Sequence, residues 1–151
     1  MYKYKIYLYK MKIMLIGDKS VGKTLLIRHL LRCSYTIPTI GFEVVHTPHL
    51  EIYDTSGDTK YQKYISRFYP LIKHFVLVYK DLKTVYKYEH LQKYAAEWTL
   101  VHNSEQIDGG KEYALTHNMN FIRSNLTFTP NAKDTLNRVQ AHKGWRYCWF
   151  Y

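Results

Sequence analysis

The chain reads as an α/β domain of three layers, a mostly parallel sheet flanked by helices on both faces. Three observations predict it. Apolar runs of strand length alternate with helical segments from Met11 onward, the order that parallel strands with helical crossovers require. Gly17-Asp18-Lys19-Ser20-Val21-Gly22-Lys23-Thr24 has the form G-x-x-x-x-G-K-T and lies between the apolar run Met11 to Ile16 and the helical run Thr24 to Arg32, which is the strand, loop and helix setting of a phosphate-binding loop. The chain has 151 residues, enough to bury about two thirds of its unfolded surface around one core, so a single domain over 1–151 with its core at about 10–147 is expected.

The elements come in this order. Residues 1–9 alternate Tyr or Ile with Lys and suit an extension of the first strand, expected at 10–16. A helix over 23–32 carries Leu26, Leu30 and Cys33 at i, i+4 and i+7, a core stripe. Strands at 42–46 and 50–53 are separated by the turn Thr47-Pro48-His49 and form a local antiparallel hairpin. A helix over 60–69 leads to a strand at 74–79. Helices over 86–98 and 109–117, a strand at 119–123 and a last helix over 131–147 complete the expectation.

Lys and Arg number 22 against 12 Asp and Glu, a formal charge of +10, which favours acidic partners. The basic residues are scattered, and the aromatic ones form no ribonucleoprotein motif, so a nucleic-acid-binding module is disfavoured. Cys33 and Cys148 fall in no metal or redox spacing. A reducing, cytoplasmic compartment is the simplest expectation. Lys10 and Lys12 interrupt the N-terminal apolar run and no small-residue cleavage site comes after it, so no signal peptide is read there. No run is long enough to span a bilayer.

In the phosphate-binding loop Gly17 and Gly22 let the backbone curl so that Asp18, Lys19, Ser20 and Val21 turn their N–H groups inward. The helix after the loop adds the positive end of its dipole. Lys23 would reach the terminal phosphates and the Thr24 hydroxyl would take one position on Mg2+. Downstream come Ile37-Pro38-Thr39-Ile40-Gly41-Phe42 and, at the end of a strand, Asp54-Thr55-Ser56-Gly57. A loop threonine can offer its hydroxyl to Mg2+, an aspartate at a strand's carboxyl end can hold that metal's water shell, and a glycine lets its N–H come close to a γ-phosphate.

With these three motifs in order, the chain resembles the small GTPases of the Ras superfamily from about residue 10 to residue 98. GDKSVGKT and DTSGDTKYQKYISRFYP look most like Rab proteins, and IPTIGF looks equally like Arf proteins. The resemblance implies the P-loop NTPase fold, with GTP or GDP and Mg2+ as cofactors. By it Thr24, Thr39 and Asp54 are the metal-side residues and Gly57 is the switch II glycine. Nucleotide contacts fall on Gly17 to Thr24, Thr39, Gly57, Asn125 and Tyr35, the last as an aromatic contact to the base. Lys23, Gly57 and Asp58 stand in the catalytic positions. Effectors or regulators would dock through switch I, Ser34 to Phe42, and switch II, Ser56 to Tyr69, on a monomer that binds no nucleic acid.

Several residues depart from the family. Asp58 stands where a glutamine orients the attacking water; its carboxylate has no amide donor and would face the γ-phosphate with a negative charge, so slow or absent hydrolysis is expected. Lys19 replaces a small residue and reads as a solvent-facing lysine, as an extra phosphate contact or as a block to an incoming arginine finger. The guanine-reading N-K-x-D signature survives only as Asn103-Ser104-Glu105-Gln106, which puts base selectivity in doubt. The stretch before Lys111 is short, so one sheet strand is expected to be lost or distorted. The S-A-K signature falls on Asn125-Leu126-Thr127, with Asn131-Ala132-Lys133 as a rival register. Cys148-Trp149-Phe150-Tyr151 places a cysteine where a prenylation box needs one but ends on an unusual Tyr. An aromatic helix end is favoured there, and peripheral membrane association stays open.

Two functions from different classes remain. One is a Rab/Ras-like nucleotide-dependent switch that hydrolyses slowly. The other is a pseudo-GTPase that binds nucleotide weakly or not at all and engages partners in one fixed state. A phosphate-loop kinase is disfavoured by the D-T-S-G motif and the missing arginine lid.

Overall fold

The computed structural model describes residues 10–30, 39–47, 50–95 and 97–124. Six strands form one sheet: β1 Met11–Ile16, β2 Phe42–His46, β3 Leu50–Thr55, β4 His74–Tyr79, β5 Glu97–His102 and β6 Asn120–Arg123. Their order across the sheet is β2-β3-β1-β4-β5-β6. β1 pairs in parallel with β3 on one side, Met11 opposite Leu50 through Leu15 opposite Asp54, and with β4 on the other. β5 and β6 continue the parallel sheet. Only β2 runs antiparallel, Phe42 opposite Thr55 and His46 opposite Glu51, in the hairpin expected around Thr47.

The helices are α1 Lys23–Leu30, α2 Gln62–Ile65, α3 Leu82–Tyr88 and α4 Gly110–Thr116. The period-2 alternation of the strands divides the core. Ile13, Leu15, Val76 and Val78 point to one face, where Val21, Leu26 and Ile27 cover them. Met14, Ile16, Phe75, Leu77 and Tyr79 point to the other and pack with Ile65, Tyr69, Val85 and Tyr113. Every residue of β4 is buried, as a strand covered on both faces must be.

Three expectations need correction. The helix expected over 86–98 begins at Leu82, because the Asp81 carboxylate caps it by accepting from Lys83 N at 2.9 Å. It tightens to a 3-10 turn over Glu89–Lys93 and ends. The strand expected to be lost is present as β5, whose Trp98-Thr99-Leu100-Val101 is fully buried. Apolar and β-branched residues in an unbroken run make an interior strand, and such a run lacks the alternation that would have marked it. The helix expected over 60–69 is likewise divided, with 3-10 turns over Thr59–Tyr61 and Ser66–Leu71 on either side of α2. The missing N–H of Pro70 prevents a regular helix there. The last expected helix, the S-A-K equivalents, Cys33 and Cys148 lie outside the described residues.

Candidate functional site

The sheet order places β1 between β3 and β4, which come after it in sequence but leave on opposite sides. At such a reversal the carboxyl ends of parallel strands open a crevice. The phosphate-binding loop leaves β1 here, and Asp54-Thr55-Ser56-Gly57 leaves β3 beside it. A cavity of about 270 Å3 lies between them, lined by Lys19, Ser20, Gly22, Lys23, Thr24, Leu25, Thr39, Thr55, Ser56 and Gly57. All three motifs therefore meet at one place.

Gly17 has φ +142°, and a Cβ there would lie 3.1 Å from the Val21 side chain and against the Val78 backbone, so no side chain fits. Lys23 is 5% exposed. Its ammonium donates to the Gly17 carbonyl at 2.8 Å and the Asp18 carbonyl at 2.7 Å, bracing the loop from within. Burial lowers its pKa to about 8 against the charges of Asp54 and Asp18. Lys19 is exposed on the rim of the cavity.

Thr24, Thr39 and Asp54 come from a helix start, a loop and a strand end, and their oxygens form a triangle. Thr24 Oγ1 and Thr39 Oγ1 each donate to Asp54 Oδ2 at 2.8 Å and stand 2.9 Å from one another. Each hydroxyl carries one proton. With both protons directed at the carboxylate, the Thr24–Thr39 edge brings two lone-pair oxygens together with no proton between them. Asp54 is 1% exposed, and its Oδ1 is buried without a hydrogen-bond partner among the described residues. Burial pushes its carboxyl above the usual range despite the bonds from Thr39 and Thr24 and the charge of Lys23. An all-oxygen set with an orphaned carboxylate atom is the donor chemistry a hard divalent cation takes.

Gly57 packs directly on the phosphate loop: a Cβ there would lie 2.6 Å from the Asp18 carbonyl oxygen and closer still to Asp18 C and Lys19 N. A backbone bond from Ser56 N to the Gly41 carbonyl, 2.7 Å, ties this segment to the one that carries Thr39. Asp58 does not line the cavity. Its Oδ1 accepts from Lys60 N at 3.1 Å, capping the first 3-10 turn, and its Oδ2 pairs with Lys60 Nζ at 3.4 Å. These contacts with Lys60 hold its carboxyl below the usual range.

Some supporting residues carried no sequence signal. Asp18 is held from α3 by Thr84 Oγ1 at 2.9 Å and Lys87 Nζ at 2.6 Å. Burial raises the Asp18 carboxyl, but these bonds outweigh it and the net shift is downward. Thr84 and Lys87 are three residues apart on one helical face, a spacing too common to single out. Asn103, the remnant of the base-reading signature, lies just past β5, is buried, and donates through Nδ2 to the Val21 carbonyl at 2.7 Å. Asp108 lies two positions beyond the one expected to read a base and is engaged below it. Its Oδ1 accepts from Gly110 N at 3.0 Å and Tyr79 OH at 3.4 Å, and its Oδ2 lies 3.4 Å from His102 Nε2. Tyr35 and Asn125 lie outside the described residues.

The family model for Ras of Complex, Roc, domain of DAPkinase matches residues 12–108. The GTP-binding protein ypt1 of Schizosaccharomyces pombe is 30% identical over 163 residues, covering 89% of this chain and 77% of that protein. The chain belongs to the Ras superfamily of small GTPases. Within it the chain is divergent and Rab-like. The Ras-related protein Rab-15 of Rattus norvegicus is 27% identical over 171 residues, covering 87% of this chain and 78% of that protein. The Ras-related protein RABA4d of Arabidopsis thaliana is 31% identical over 100 residues, covering 59% and 45%. The six-stranded, mostly parallel sheet with its flanking helices is the P-loop GTPase fold. Among the described residues no helix is long and apolar enough to cross a membrane.

Proposed function

We propose that this small GTPase is a nucleotide-dependent switch that binds guanosine di- or triphosphate with Mg2+ and hydrolyses the triphosphate slowly. The observation that carries the reading is the oxygen triangle of Thr24, Thr39 and Asp54, the first two of which line the cavity while Asp54 is buried behind them. The triangle's three oxygens, drawn from two hydroxyls and a carboxylate, are the hard donors that a divalent cation takes. These three residues would hold Mg2+, which when bound neutralises charge on the phosphate oxygens.

The remaining chemistry belongs to the chain. The backbone N–H groups of Asp18 to Lys23 and the start of α1 cradle phosphates. Lys23, already inside the loop on two carbonyls, has one donor to spare for a terminal phosphate oxygen. Thr39 and Gly57 stand on the walls of one cavity, and the Ser56–Gly41 bond links their segments. A third phosphate contacted by both would hold the pair closed, and its loss would release them together. Effector recognition would read that difference through 39–42 and 56–69, with Ser34 to Pro38 as the rest of the first segment.

Slow hydrolysis is expected from Asp58. A carboxylate can accept a hydrogen bond from water but cannot donate one toward the phosphate, and this carboxylate is already occupied with Lys60. The same residue, with Ser104-Glu105-Gln106 in the base-reading segment, favours a second reading, a pseudo-GTPase that engages partners in one fixed state. Mass spectrometry of nucleotide co-purifying with the native protein separates the two. GDP or GTP in stoichiometric amount is expected; a protein that purifies empty and takes up neither nucleotide with Mg2+ overturns the switch reading in favour of the second.

A further inference from the structure

Between Asp58 and Asp81 the sequence holds no acidic residue, while Lys60, Lys63, Arg67, Lys73 and Lys80 fall within that stretch. The structure sorts them by face. Ile65, Tyr69 and Ile72 are buried, and Tyr61 and Phe68 pack against the same core. The opposite face presents Lys60, Lys63, Tyr64, Arg67 and Leu71, with Lys73 exposed just beyond. These positions recur at the three- and four-residue spacing of one helical side. Tyr64 and Leu71 are 58% and 49% exposed. The Arg67 guanidinium lies 5.9 Å from the Tyr64 ring centre and Lys60 lies 4.8 Å from that of Tyr61. Among the described residues no ion pair is recorded for Lys63, Arg67 or Lys73, and Asp58, at the start of this face, pairs with Lys60.

We propose that this face docks an acidic segment of a partner protein, one that alternates carboxylates with apolar side chains. The proposal deepens the switch reading, on which it rests for the partner's being an effector. Charge complementarity supplies the sign: cations without partners gain most from carboxylates brought to them. The interleaved tyrosine and leucine supply the rest, since a surface built for phosphates alone has no use for exposed apolar groups between its cations. They are also too few to anchor in a bilayer. Exposed aromatic and arginine side chains are the types that carry most binding energy at protein interfaces.

The probe is a fluorescein-labelled peptide alternating Glu with Leu, titrated by anisotropy at low and physiological salt. Vesicles of phosphatidylcholine with phosphatidylserine form the second arm. Binding is expected to weaken as salt rises. K63E/R67E should weaken the peptide by about tenfold or more, while K83E/K111E, an equal charge change on exposed lysines of α3 and α4, should alter it by no more than about twofold. Equal losses in the two pairs would mean that only net charge is read, and would overturn the proposal. Binding to the vesicles but not the peptide, or to neither, would overturn it as well. Nucleotide content is measured on the same preparations. Peptide selectivity in a protein that holds no nucleotide would keep the docking face and remove the switch, whereas retained nucleotide without peptide selectivity would do the reverse.

Discussion

Replacing Gly57 with alanine tests the site at its closest approach. The added Cβ would lie 2.6 Å from the Asp18 carbonyl oxygen, where ordinary contact needs about 3.5 Å. The obstruction is backbone on both sides, because Asp18 C and Lys19 N are nearer still. Asp18 cannot easily yield, since Thr84 and Lys87 hold its side chain from α3. The segment that must move is the one carrying Gly57, by about 1 Å away from the phosphate loop. A displacement of that size from productive geometry can cost on the order of a hundredfold. On the proposed reading the Gly57 N–H meets a third phosphate, which the diphosphate lacks, so the loss should be selective. Affinity for a non-hydrolysable triphosphate analogue is expected to fall at least tenfold more than affinity for GDP, read by displacement of a fluorescent GDP analogue. Circular dichroism on the same samples checks that the variant is folded. Equal affinities for the triphosphate analogue in wild type and G57A would refute the placement of Gly57 beside the γ-phosphate. Parallel losses for both nucleotides would show damage to the whole phosphate loop instead.

Four further outcomes are expected. Lys23→Ala should abolish measurable GDP binding by titration calorimetry, because it removes both the phosphate contact and the brace on Gly17 and Asp18; unchanged binding would remove the phosphate-loop assignment. Asn103→Ala leaves the Val21 carbonyl without its 2.7 Å donor and should lower stability in urea unfolding by about 1–3 kcal/mol; no change in midpoint would mean that water replaces the amide at no cost. ADP should compete with a fluorescent GDP analogue within about tenfold of GDP, since no free aspartate stands at the remnant signature and a guanine edge left unread forgoes hydrogen bonds of about 1–3 kcal/mol each; a strong GDP preference would mean that another segment reads the base. Asp58→Gln should raise single-turnover GTP hydrolysis by about a hundredfold, while removing the carboxylate that caps the first 3-10 turn; a wild type that already hydrolyses as fast as the variant would refute the role given to Asp58.

The candidate site was legible because its residues sit in short runs at strand ends, where backbone geometry and chemistry coincide. Gly17 to Thr24, Thr39, Asp54 and Gly57 could be named without knowing the sheet order, and Lys19, Ser20, Gly22, Lys23, Thr24, Thr39 and Gly57 line one cavity. The parts that were not legible depend on packing across the sheet. Glu97 and Trp98 fall at the end of the helix expected over 86–98, and 99–102 carries no expected element; the identity of Glu97–His102 as a strand comes from its pairing between β4 and β6. Asp81 carried a readable cap signal, an acidic residue just before Leu82-Lys83-Thr84, and it fixes the true start of α3. The grip of Thr84 and Lys87 on Asp18 spans 66 and 69 positions, a separation over which residue patterns carry no information.

The shortening of the chain before Lys111 acquires a physical meaning from these contacts. With β5 retained, Asn103 still stands at its end and still holds the Val21 carbonyl, so the phosphate loop keeps its support from this side of the sheet. The segment after Asn103 is bound inward: Asp108 is taken up by Tyr79, Gly110 and the neighbourhood of His102, while Ile107 stands 89% exposed. The Asp108 Oδ1 accepts from a tyrosine hydroxyl and a backbone N–H, and its Oδ2 is buried beside His102 Nε2, so neither oxygen is presented to solvent where a base edge could reach it. On the proposed reading the contact that supports the phosphate loop is kept while the base-reading positions are lost. Phosphate affinity and base selectivity are then expected to separate: substitutions at Asn103 should move the first, while substitutions at Glu105 or Gln106 leave it unchanged.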